Sequence, residues 1–136
     1  MAQSFLGPNP GTVVVDALEV ELLDGSVSND VTVVAWKEVN FPACVAVVAE
    51  LGTIADTVNA LDIEVVGADD DSGTNLVSYG RFAPIDGSDD GQVRVMVADV
   101  YKRFMGVRVD HEGTGSAQVR VVVRPKTWGL GDKRTA

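Results

Sequence analysis

Apolar and polar residues alternate over short segments of this sequence, and valine supplies many of the apolar positions. Between residues 92 and 97, valine stands at every second position, with Arg94 and Met96 between the valines. A period of two is typical of a β-strand that buries one face, because successive side chains point to opposite sides of the sheet. The valines of two such segments are therefore predicted to belong to the core: Val93, Val95, Val119 and Val121.

Eight segments have this strand character, and turn residues separate most of them. They are TVVVDALEVEL (12–22), NDVTVVAW (29–36), ACVAVVAEL (43–51), NALDIEVVGA (59–68), NLVSYGRFA (75–83), QVRVMVADV (92–100), FMGVRVDH (104–111) and SAQVRVVVRP (116–125). The turns fall at 23–29, 69–74, 84–91 and 111–116, where Gly, Asp, Asn and Ser cluster. Residues 98–104 are an exception, since their pattern also allows one helical turn. The sequence predicts an all-β, antiparallel β-sandwich or small barrel of about eight strands.

Both ends of the chain depart from the strand pattern. We predict an extended arm over residues 1–11, a single domain over 12–125 and a tail over 126–136. The arm is rich in proline and glycine, and both ends contain apolar side chains that either fold back onto the domain or bind another chain. Inter-subunit contacts are predicted at Phe5, Leu6, Pro8, Trp128 and Leu130.

The charge is unevenly distributed along the sequence. Residues 1–91 contain sixteen acidic and two basic residues, whereas residues 92–136 contain nine basic and four acidic ones. Interleaved strands would mix these charges in space. The net charge of −9 disfavours nucleic acid as a partner, because phosphate binding needs a cationic surface. No apolar run reaches the roughly 20 residues that span a bilayer, so a membrane partner is not expected.

Two acidic turns raise the question of calcium binding. If Gly73 takes position 6 of an EF-hand loop, position 12 is Tyr79, where the motif requires glutamate. In the second turn Asp86, Ser88 and Asp90 match positions 1, 3 and 5, but position 12 is Val97. We therefore predict no metal site, and expect these aspartates to bind nearby backbone N–H groups.

The sequence offers little for catalysis. Its single cysteine, Cys44, lies in an apolar segment and is predicted to be a buried, inert thiol. The single histidine, His111, is predicted to be a solvated loop residue, and no pattern pairs it with Cys44. Phosphate loops, nucleophile elbows and zinc-ligand spacings are missing. We predict that the protein is not an enzyme and binds no cofactor.

The segment 59–126 combines several features in order. An acidic strand end with Ser-Gly-Thr precedes a strand that begins Lys-Arg-Phe; a glycine-rich turn and a final valine-rich strand follow. The matching positions are Arg103, Phe104, Val107, Val109, Gly113 and Gly115. In these features the chain resembles the small decoration, or cement, proteins that tailed phages encode near the major capsid gene.

The resemblance implies a non-enzymatic structural virion protein that binds the capsid exterior and stabilises capsomer junctions. Its partners would be the major capsid protein and neighbouring copies of itself, as a homotrimer or dimer, and it would be made in the host cytoplasm. The alternative is a phage tail-tube, head–tail connector or fibre component, which would share these features but assemble into rings.

Overall fold

The computed structural model describes residues 19–33, 35–39 and 44–125, and these ranges contain eight strands and no helix. The strands are β1 (Val20–Val27), β2 (Lys37–Glu38), β3 (Cys44–Ile54), β4 (Val58–Ala68), β5 (Val77–Arg81), β6 (Val93–Asp99), β7 (Phe104–Gly113) and β8 (Ala117–Pro125). In the described part of the chain, no helix has the length and apolar character needed to cross a membrane.

The strands form two four-stranded antiparallel sheets. Sheet A has the order β1-β8-β3-β6 and sheet B the order β2-β7-β4-β5. Every strand pairing is antiparallel. The prediction of an all-β antiparallel fold with about eight strands is confirmed, and the two sheets make it a β-sandwich.

The hydrophobic core lies between the sheets. It is built from alternate residues of the long central strands, since the residues between them point outward. Val119 and Val121 of β8 are 2% and 0% exposed, which confirms their predicted burial. The fully buried side chains of the core include Leu61, Ile63, Ile85, Met105, Val45, Val47, Val58, Val65, Val121 and Val123.

The predicted burial of Val93 and Val95 is wrong. Both point to the outer face of sheet A and are 59% and 62% exposed. Strand register gives the reason: Met96 pairs with the fully buried Val47, so the face of β6 that carries Met96 is the inner one. Both faces of β6 carry apolar residues, and β3 decides which of them is buried.

Two predicted boundaries also change. The strand β1 continues through Asp24 and Gly25, which were predicted to form a turn, because both pair with β8. Segment 29–36 was predicted to be a strand, but its only pairing in the described chain is the bridge from Val31 to Val109. Residues 98–104 contain a bend between β6 and β7 rather than a helical turn.

Candidate functional site

The outer face of sheet A is divided into a charged half and an apolar half. On the β1 and β8 side, Arg120 binds Glu21 at 3.0 Å and Glu50 at 3.2 Å. Its hydrogen bonds to Glu21 and Glu50 raise the pKa of Arg120 above its ordinary value. The neighbouring Arg124 binds Glu19. The charges of this half are therefore largely satisfied within the face.

Ion pairs join the acidic first part of the sequence to its basic second part. Besides Arg120 and Arg124, the cations of the second part bind acidic residues as Arg94–Asp89, Lys102–Asp69, Arg103–Glu38 and Arg108–Glu64. Arg94 and Asp89 lie five residues apart, whereas the other pairs join distant segments that the fold brings together. Charges that are segregated in the sequence are thus mixed in space.

The apolar half of the same face lies on β3 and β6. Val95 stands opposite Val48, Val97 opposite Ala46, and Val93 opposite Glu50. We call Ala46, Val48, Val93, Val95 and Val97 the valine face. Its three β6 valines are each more than half exposed. Three of the five exposed large hydrophobic residues of the described chain lie in this face. A cluster of exposed apolar residues on one face makes it the candidate binding surface.

A polar cleft of about 340 Å³ lies on the outer side of sheet B. Glu64, which lines this cleft, is the only buried charged residue in the described chain. Arg108 binds the Glu64 carboxylate at 2.6 Å, and Arg81 approaches it at 3.6 Å. Burial raises the pKa of Glu64, but hydrogen bonds from Ser78 and Arg108 and the two nearby positive charges outweigh it, so the pKa is lowered. These internal pairings make Glu64 a stabilising group rather than a proton donor.

The lowered pKa of Glu64 predicts a pH-dependent contribution to stability. Its stabilisation is present above the ordinary pKa of 4.5 and is lost as the pH falls through the lower folded-state value. In urea unfolding, Glu64→Gln should be less stable than the wild type at pH 7, and the difference should narrow below pH 4.5. As a control, Glu38→Gln removes an exposed ion pair and should change stability by about 0–1 kcal/mol. A constant difference across the pH range would contradict the role of Glu64.

The acidic turns use their carboxylates to bind their own backbone, as predicted. Asp70 accepts N–H hydrogen bonds from Ser72 at 3.0 Å and Thr74 at 3.1 Å. In the second turn, Asp86 accepts one from the Ser88 N–H at 2.8 Å. Hydrogen bonding to the ionised forms lowers the pKa of both Asp70 and Asp86. Among the described residues, no group of three or more His, Cys, Asp or Glu is placed to hold a metal ion.

The two candidate nucleophile and base residues lie on different sheets. Cys44 is half-buried on β3 rather than buried as predicted. His111 belongs to strand β7 rather than to a loop, and its Nε2 lies 3.0 Å from the Gly115 carbonyl oxygen. The structure does not bring them together, because β3 is in sheet A and β7 in sheet B.

The predicted inter-subunit residues Phe5, Leu6, Pro8, Trp128 and Leu130 lie outside the described residues. The valine face was missed because the sequence analysis assigned Val93 and Val95 to the core. The sequence did contain a warning of this error. Met96 and Ala98 make the opposite face of β6 apolar as well, so the pattern was consistent with burial of either face. No protein-family model and no curated protein matches this chain.

Proposed function

We propose that this protein is a non-enzymatic structural virion protein that binds the outer surface of a phage capsid and stabilises its capsomer junctions. The observation that carries the proposal is the valine face, an exposed apolar surface on a rigid sheet. Burial of one valine side chain contributes about 1.5–3 kcal/mol, so its three exposed valines can make a useful protein contact. The partners are the major capsid protein and neighbouring copies of the same chain.

The residues that carry the resemblance to decoration proteins support the proposal because they form the core and turns of the β-sandwich that the resemblance implies. Val107 and Val109 lie in the core. Gly113 and Gly115 have positive φ angles in the turn between β7 and β8. Arg103 binds Glu38 on the neighbouring β2. These positions build the sandwich and its turns, and the binding surface is a separate feature of sheet A.

The test is the location of the protein on particles from the source lysate. An antibody against the purified protein should label the heads of intact particles by immunogold electron microscopy, since the proposed site is on the capsid exterior. Quantitative mass spectrometry should then give a copy number that scales with that of the major capsid protein. Labelling confined to tails would favour the tail-tube, connector or fibre alternative, and particles without the protein would overturn the proposal.

A further inference from the structure

We infer that β6 is a self-association site, at which two copies of this chain pair edge to edge and extend sheet A across a two-fold axis. The inference rests on the proposed function in one respect, that sheet A carries the protein-binding surface, and it identifies the partner at the edge of this sheet as a second copy. In this pairing the two valine faces become one continuous apolar surface.

Among the edge strands of the described chain, β6 has the least protected edge. An unpaired edge exposes backbone N–H and C=O groups, and proteins usually protect it by bulges, short strands or charges. The edge strand β1 has a register shift between Glu21 and Leu23, β5 has one extra residue between Ser78 and Gly80, and β2 has two residues. By contrast, β6 has seven residues and pairs with β3 without a shift.

The backbone of β6 has one described strand neighbour. In the described chain, the backbone hydrogen bonds outside regular strand pairings do not involve residues 93–99. The one cationic side chain of β6, Arg94, binds Asp89 at 3.2 Å and donates to the Ala83 carbonyl at 3.2 Å. Because these partners hold Arg94 at one end of the strand, its charge does not protect the middle of the edge.

Two-fold symmetry matches the distribution of apolar residues along β6. In an antiparallel pair, residues opposite each other point to the same face. With Val95 on the axis, it stands opposite Val95 of the partner subunit, and Val93 stands opposite the partner's Val97. A two-fold interface uses the same patch on both copies, so on the outer face the valines of one copy meet the valines of the other.

The charge distribution also favours this edge. Each chain has a net charge of −9, so two copies repel each other least where few like charges face one another. Most of the charged half lies on β1 and β8. The acidic side chains of sheet A nearest to the edge are Glu50 on β3, which binds Arg120, and Asp99, which ends β6 and stands opposite the partner's Gly91 in this register. With strands about 4.8 Å apart, the β8 strands of the two copies lie about 24 Å apart in the pair, well beyond the Debye length of about 10 Å at 0.1 M salt.

The edge pairing predicts a weak dimer. A standard interface buries about 800 Å² per partner, whereas two seven-residue strands that pair edge to edge contact each other through their backbones and the side chains that stand opposite each other. The outer valine faces stay uncovered in this pair. We therefore expect a reversible dimer whose population rises with protein concentration, which suits a protein that binds a repeating surface through many weak contacts.

Sedimentation equilibrium of the full chain over a range of concentrations tests the inference. The wild type should shift from monomer to dimer, and Val95→Lys should weaken dimerisation at least about 100-fold, because it places two like charges on the axis. The matched control is Leu76→Lys, at another exposed apolar residue that lies outside β6. It should dimerise like the wild type. Equal melting temperatures of the two dilute variants would show that both are folded.

Disulfide cross-linking gives a second measurement of the same pairing. In a Cys44→Ala background, Val95→Cys should form a covalent dimer under mild oxidation, because opposite residues of paired strands approach within disulfide reach. The exposed Ser26→Cys on β1 should not. A wild type that stays monomeric, a dimer that Val95→Lys leaves intact, or a hexameric ring would overturn the inference. A monomeric protein that still labels capsid heads would overturn only the inference and leave the proposed function standing.

Discussion

Val121→Asp is expected to destabilise the protein severely, whereas Val95→Asp is expected to change its stability little. Val121 is fully buried in β8, between Leu23 of β1 and Ala49 of β3. An aspartate there would bury a carboxylate without a partner and remove an apolar side chain. The expected cost is about 4 kcal/mol or more, a large part of the 5–15 kcal/mol by which domains are stable.

The same substitution at Val95 tests the opposite environment on the same sheet. This side chain is 62% exposed, so an aspartate there remains in water. The expected loss is about 1 kcal/mol, the range of strand propensities. Urea unfolding at low protein concentration measures both variants without a contribution from dimerisation. Similar losses for the two variants would show that β6 does not expose its valines.

The strands from β3 onward were predictable from the sequence. Each has an apolar pattern, and predicted turns follow β4, β5 and β7. In the acidic turns the aspartates that interrupt the pattern also bind the backbone. The segment around Trp36 was not predictable in this way. It has strand composition, but it forms one bridge with β7 and then crosses the outer side of sheet B, where Val33 and Trp36 pack against Gly106. Composition does not distinguish a strand from a segment that covers one.

The candidate site was the less predictable part for a related reason. Alternation identifies two faces of a strand but does not say which is buried when both are apolar. In β6 that choice depends on pairing with β3, more than forty residues away in the sequence. The buried Glu64 was also missed as a buried group. Its burial depends on Arg108 of β7 and Arg81 of β5, which the sequence does not place beside it.

Gly113→Ala is expected to be the most damaging single-methyl change in the turns. Gly113 ends β7 with a φ of +100°, a conformation that side chains other than glycine rarely adopt. A Cβ at this position would overlap the Thr57 carbonyl oxygen and lie 2.8 Å from the Asn59 nitrogen. The neighbouring Thr114 N–H donates to that same carbonyl at 3.0 Å. The added methyl would therefore strain the backbone and disrupt the contact between this turn and the start of β4.

Gly91→Ala separates the loss of stability caused by backbone strain from the loss caused by steric overlap of the added methyl group. Gly91 also has a positive φ, +75°, but a Cβ there would meet nothing within 4 Å. It should lose about 1–2 kcal/mol from backbone strain alone. Gly113→Ala should lose about 3 kcal/mol or more, since overpacking adds about 1–3 kcal/mol. Thermal and urea unfolding of both variants measure the difference. Equal losses would mean that the backbone around Thr57 moves aside at little cost, and the tight approach of this turn to β4 would then not contribute to stability.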